Sequence, residues 1–174
     1  MKKHRIPALL AALVLAGAGG CSLLTLRPPF DATGSYTGTW TGTLRGGTGA
    51  ERSCKVTLKL EQDPAYSFLQ GFAVKGAATV YFTCASVLGD VADAGLPGRL
   101  STDVTGFVLP GGTVSLASIR ASGTESMVIG ISGNGEDRDE NGAMDGLKGN
   151  WSLSINQPGF SPLVISGTVA VAAQ

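Results

Sequence analysis

Beyond residue 20 this chain contains no histidine; the one histidine in 174 residues is His4. That absence excludes a Ser-His-Asp triad, a Cys-His pair and an imidazole metal site in the body of the protein. Charge is also scarce. Only 15% of residues are charged, and 13 bases balance 13 acids, so no basic face for nucleic acid is expected. Aromatic residues are 6% of the chain, too few for the aromatic girdles of a membrane-spanning barrel. No Gly-x-Ser-x-Gly elbow, Ser-x-x-Lys pair or Walker loop occurs. Carboxylate-pair chemistry stays open through Glu61, Asp63, Asp103 and Glu125, although scattered strand carboxylates are more commonly solvated face residues. What the chain does have is 43% hydrophobic residues, enough for a core, and 26 glycines, about twice the usual share.

The first 20 residues read as a leader. Lys2, Lys3 and Arg5 form a basic start, and Ile6 to Ala18 is an almost unbroken apolar run. The run is too short to span a bilayer and fits the apolar part of a secretory signal. It ends in Ala18-Gly19-Gly20-Cys21. This segment resembles the bacterial lipoprotein precursors, whose lipobox is Leu-Ala-Gly-Cys or a close variant; here Ala18 stands where Leu is favoured. The resemblance implies cleavage before Cys21, a diacylglyceryl group on its sulfur and acylation of the new amine. The alternative is a secreted protein cut near Ala16 to Ala18. The lipoprotein reading divides the chain into a signal peptide (1–20), a lipidated cysteine with its tether (21–34) and one domain (35–174). It also implies a cell-envelope location, with the membrane as partner through the lipid. Ser22 in place of the Asp that retains some lipoproteins in the inner membrane points to the outer membrane. The part after the leader has ten bases against thirteen acids.

Two cysteines remain in the domain, Cys54 and Cys84. An exported chain meets an oxidising compartment, so a disulfide is expected. Parity agrees, because Cys54 shares a face with Val56, Leu58 and Leu60, and Cys84 with Val80 and Phe82. The pairing is natural if 54–62 lies antiparallel to the strand ending at Cys84. If 69–75 is a separate strand between them, barrel shear must bring the two ends together. The alternative is two buried thiols.

From Ser35 the dominant signal has period two. Tyr36, Gly38, Trp40, Gly42 and Leu44 alternate with threonines, and Leu147, Gly149, Trp151, Leu153 and Ile155 alternate with polar residues. Similar runs cover 54–62 and 163–171, with further strands expected at 68–75, 78–86, 99–109, 113–121 and 125–132. Turn signals fall at Gly46-Gly47, Asp63-Pro64, Gly76, Pro97-Gly98, Pro110-Gly111-Gly112, Gly123 and Pro158-Gly159. Residues 86–96 read as a loop. The expected fold is all-β, an antiparallel up-and-down barrel of about 8–9 strands, with a β-sandwich as the alternative. Gly38-Thr39-Trp40 and Gly149-Asn150-Trp151 are similar to the Gly-x-Trp element of small lipocalin-like, calycin-type barrels. Trp40 and Trp151 are expected to plug a barrel end.

One loop carries specific chemistry. Asp137-Arg138-Asp139-Glu140-Asn141-Gly142-Ala143-Met144-Asp145 resembles the first nine positions of an EF-hand or dockerin-type calcium loop. The resemblance implies side-chain oxygens from Asp137, Asp139 and Asn141, a sharp turn at Gly142, the Ala143 carbonyl, and Asp145 directly or through water. Position twelve is Lys148, where the family places a bidentate Glu, and the loop joins strands rather than helices. The alternative is a solvated acidic hairpin tip. Three functions follow: a non-catalytic binding or interaction module whose partner is an unknown protein, a lipocalin-like carrier of an apolar ligand, and a carboxylate-based hydrolase. The first is preferred, with no nucleic acid as partner and Ca2+ as the one candidate cofactor.

Overall fold

In a computed structural model, the described residues are 27–44, 52–67, 71–82, 98–123, 125–156, 158–159 and 162–174. They form eight strands: β1 Gly34–Leu44, β2 Arg52–Ser67, β3 Gly71–Tyr81, β4 Arg99–Val108, β5 Thr113–Ser122, β6 Glu125–Glu136, β7 Gly146–Asn156 and β8 Leu163–Ala173. Each strand pairs antiparallel with the next, and β8 returns to β1, closing an up-and-down barrel. Among the described residues the fold is all-β, as the period-two pattern requires. The sandwich is therefore excluded.

The alternation points inward with its apolar members. Tyr36, Trp40, Val56, Leu58, Leu60, Leu116, Ile129, Leu153 and Ile165 are buried, while Thr39, Lys55, Lys59 and Lys148 face out. This polarity is opposite to that of a barrel that crosses a membrane. The core is packed with rings. Trp40 and Trp151 approach to 4.4 Å between centroids, and Phe82 meets Trp40 edge-on at 5.9 Å. Both indoles find acceptors: Trp40 Nε1 donates to the Tyr81 carbonyl at 3.2 Å, and Trp151 Nε1 to the Thr41 carbonyl at 3.1 Å. Both tryptophans are thus buried in the core with their indole N–H groups satisfied.

Two readings of turn residues need correction. Gly76 is not a turn, so the separate strands 68–75 and 78–86 do not exist; Gly76 lies inside β3, opposite Leu60 of β2. A Cβ at this position would overlap the Lys59 carbonyl oxygen, so the glycine lets the neighbouring strand pass close. Asp63-Pro64 is not a turn either. It lies within β2, where the register with β3 shifts between Gln62 and Tyr66, the kind of irregularity that accommodates a proline. The remaining described signals at 110–112, 123 and 158–159 do turn the chain, with Gly112, Gly123 and Gly159 at positive φ. Gly46-Gly47, Pro97 and the 86–96 loop lie outside the described residues.

The ladders hold between nine and eleven residue pairs, except β4–β5, which has four. Beyond its end, Thr102 and Ser118 share a buried hydroxyl hydrogen bond of 2.7 Å.

Urea denaturation distinguishes a crowded glycine from an open one. Gly76→Ala is expected to cost about 2 kcal/mol or more, because backbone rather than a flexible side chain must give way. Gly111→Ala, whose Cβ would enter open space, should stay within about 0.5 kcal/mol of wild type.

Candidate functional site

The hairpins after β2, β4 and β6 gather at one end of the barrel, where the chain also enters β1. Residues 30–33, expected to be tether, instead form a strap across this end. Phe30 and Ala32 are buried, in the same parity as Tyr36 and Trp40. Gln62 clamps the strap: its Nε2 donates to the Phe30 carbonyl at 3.2 Å, its Oε1 accepts from Ala32 N at 2.9 Å, and its own N–H donates to Thr33 Oγ1 at 3.0 Å. On the other side Asp31 forms an isolated parallel bridge with Ala143. There Asp31 N donates to the Gly142 carbonyl at 2.7 Å, and Met144 N to the Asp31 carbonyl at 2.8 Å.

The acidic loop between β6 and β7 therefore sits on the strap. It is wound by its own carboxylates. Asp137 accepts from Asn141 N at 3.1 Å and Gly142 N at 2.9 Å, Asn141 Oδ1 accepts from Ala143 N at 2.7 Å, and Asp145 accepts from Arg138 N at 2.6 Å. Asn141 Nδ2 donates to Asp139 at 2.9 Å. Gly142 takes φ +83°, as the sharp turn requires, and Glu140 takes φ 57°. One carboxylate oxygen from each of Asp137, Asp139 and Asp145 lies within 4.8 Å of the other two. The structure thus brings together three of the five ligands expected from the sequence, while the Asn141 side-chain oxygen is engaged by Ala143 N. Hard oxygen donors crowded on one tight loop suit a hard cation.

Lys148 does not complete the set. It lies on β7, opposite Asn134, with its ammonium 3.0 Å from Glu136 Oε1. Arg138 holds the other oxygen of Glu136 at 2.6 Å. The Arg138 and Lys148 hydrogen bonds keep the Glu136 carboxyl below its ordinary pKa. Glu136 is thereby spent on two cations beside the loop.

The sequence reading missed the strap and its clamp. Phe30 and Ala32 continue the even-numbered apolar parity of β1 backward, and that was the available signal. Of the carboxylates considered for hydrolysis, Glu61 is paired with Lys75 at 3.4 Å on the outer wall, and Asp63 and Asp103 are exposed. Cys54 is a buried, disulfide-bonded cysteine whose partner lies outside the described residues. Cys21 and Cys84 both lie outside them. β2, which carries Cys54, pairs directly with β3, and the described chain continues to Phe82, two residues before Cys84.

Tyr36 ties the strap to the core. Its hydroxyl donates to the Ala32 carbonyl at 3.0 Å. Burial, then the charges of Asp31 and Asp145, push its phenol up to about 12. An unfolded phenol ionises near 10, so the proton held by the folded state stabilises it fully below pH 10. That contribution is lost as pH rises from 10 through 12. Unfolding free energies measured over this range should fall for wild type and fall less for Tyr36→Phe. Below pH 10 the variant should be about 1 kcal/mol less stable, having lost one hydrogen bond.

No family model matches the chain, and no curated protein or solved structure does.

Proposed function

We propose that this protein is a lipoprotein of the bacterial cell envelope whose barrel serves as a non-catalytic binding or interaction module, with a calcium ion held by the acidic loop at one end. The observation that carries the reading is the convergence of Asp137, Asp139 and Asp145 oxygens within 4.8 Å on a loop wound as a cation site requires. Asn141 and the Ala143 carbonyl supply the remaining protein donors. With no bidentate carboxylate at position 148, water completes the coordination and binding is weak. The ion offsets the mutual repulsion of the three carboxylates and fixes the loop against the strap.

The rings of Trp40, Trp151 and Phe82 are packed together inside the barrel, which favours recognition at the ends or the outer wall over an enclosed ligand. The outer face of β5 to β8 presents Ser115, Ser132, Asn150, Ser152, Ser166 and Thr168, an uncharged polar wall. The anchor rests on the leader and Cys21, and the partner assigned to Cys54 is Cys84.

Calcium should raise the melting temperature, and magnesium should do so less, because the loop offers flexible carboxylates rather than a tight octahedron. In the Asp137→Ala/Asp139→Ala double variant the calcium shift should vanish while the barrel stays folded. Titration calorimetry showing no heat up to millimolar calcium would remove the ion from this reading.

Intact and peptide mass spectrometry of the exported, unreduced protein tests the rest. An acylated N-terminal peptide beginning at Cys21 and a linked Cys54–Cys84 peptide are expected. An unmodified Cys21 would refute the anchor, and alkylated Cys84 would refute the pairing.

A further inference from the structure

We propose that the barrel end beneath Phe30 is an apolar binding site, occupied here by the chain's own strap, that receives an aromatic ring or the end of an alkyl chain when the strap lifts. Phe30 is almost fully buried, but the walls around its ring belong to other elements. The floor is Gly135 of β6, where a Cβ would overlap the ring. Gly112, in the β4–β5 turn, lies on another side, with its Cβ position 3.5 Å from Phe30 Cε1. Met144, at the end of the acidic loop, brings its sulfur within 2.9 Å of the Gly135 Cβ position. Two glycines leave the width of a ring, and the methionine is a wall that adapts to different apolar shapes. None of the three walls carries charge, so the matching ligand group is apolar.

The strap is separable from the barrel. It belongs to no strand ladder and makes one isolated bridge, Asp31 with Ala143, against ladders of four to eleven pairs elsewhere. Barrel closure runs through β1 and β8 from Tyr36 onward and uses none of residues 30–33. Asp31, Thr33, Gly142 and Ala143 are exposed, so water can take over their hydrogen bonds as they break, while the buried Tyr36–Ala32 hydrogen bond is the one that opening must also give up. Gln62 is the latch, since its side chain alone holds both the Phe30 carbonyl and the Ala32 N–H. Opening therefore breaks no strand pair and leaves the socket empty.

The test uses the purified full chain and N-phenyl-1-naphthylamine, an aryl probe that brightens in apolar sites. Phe30→Ala should stay folded by circular dichroism and bind the probe at least tenfold more tightly than wild type. Gln62→Ala, with Phe30 retained, should gain a few-fold by raising the open fraction. Phe30→Ala/Gly135→Leu should return to the wild-type level, because the leucine refills the socket. In wild type, the Asp31 and Met144 amides should exchange hydrogen about a hundredfold faster than those of the β1–β8 ladder, through local opening. Strap exchange as slow as the ladder, failure of Phe30→Ala to fold, a folded Phe30→Ala without added probe binding, or probe binding that survives Gly135→Leu would each overturn the proposal.

Discussion

Closure of the β1–β8 ladder is the constraint on which the rest of the molecule depends. Nine residue pairs, from Tyr36 with Ala173 to Leu44 with Ile165, join the first strand to the last. Closure removes the edges that an open sheet would expose and fixes how much side-chain volume the interior accepts. With eight strands that volume is small, and two indoles must share it. Trp151 on β7 donates to the Thr41 carbonyl on β1, so its ring has to cross β8. It crosses where Gly167 is its ladder partner and where Gly42 of β1 faces Gly167 in turn. A Cβ at Gly167 would overlap the Thr41 carbonyl oxygen, the same atom that accepts from Trp151, so the glycine keeps that acceptor in place.

The same constraint explains which parts of the fold were legible. Period-two runs such as Val56-Leu58-Leu60 reveal strands because one face must be buried and the other solvated. Glycine was ambiguous, because the residue that permits a turn also permits two strands to approach closely. At Gly123 and Gly159 it marks a turn with positive φ. At Gly76 it marks a crowded point in mid-strand. Only knowledge of the neighbouring strand separates the two, and a sequence holds no register until the barrel closes. Asp63-Pro64 misled in the same way, since an irregularity in a strand and a turn select similar residues.

The candidate site divides along a similar line. The acidic loop was readable because its ligands are close in sequence and its geometry is local: Asp137 holds Gly142, and Asn141 holds Ala143. The strap was not, because what seats it is Gln62, about thirty residues away, and a glycine more than a hundred residues away. Phe30 and Ala32 follow two prolines and look like the end of a linker. Their burial is a tertiary outcome, reached when the β2 and β6 ends form a socket at the same barrel mouth.

The position of the strap gives the barrel a polarity. The chain enters at the mouth that carries the acidic loop, and Gln174, at the other terminus, bonds to Ser35 beside it. Anything tied to residue 27 from the N-terminal side therefore holds that pole. The strand ends at Leu44, Tyr81, Ser122 and Asn156 lie at the opposite pole, a barrel length from the strap. The strap, the acidic loop and the Gln174–Ser35 hydrogen bond thus share one pole, so a change in any of them is felt by the other two before it reaches the ladders.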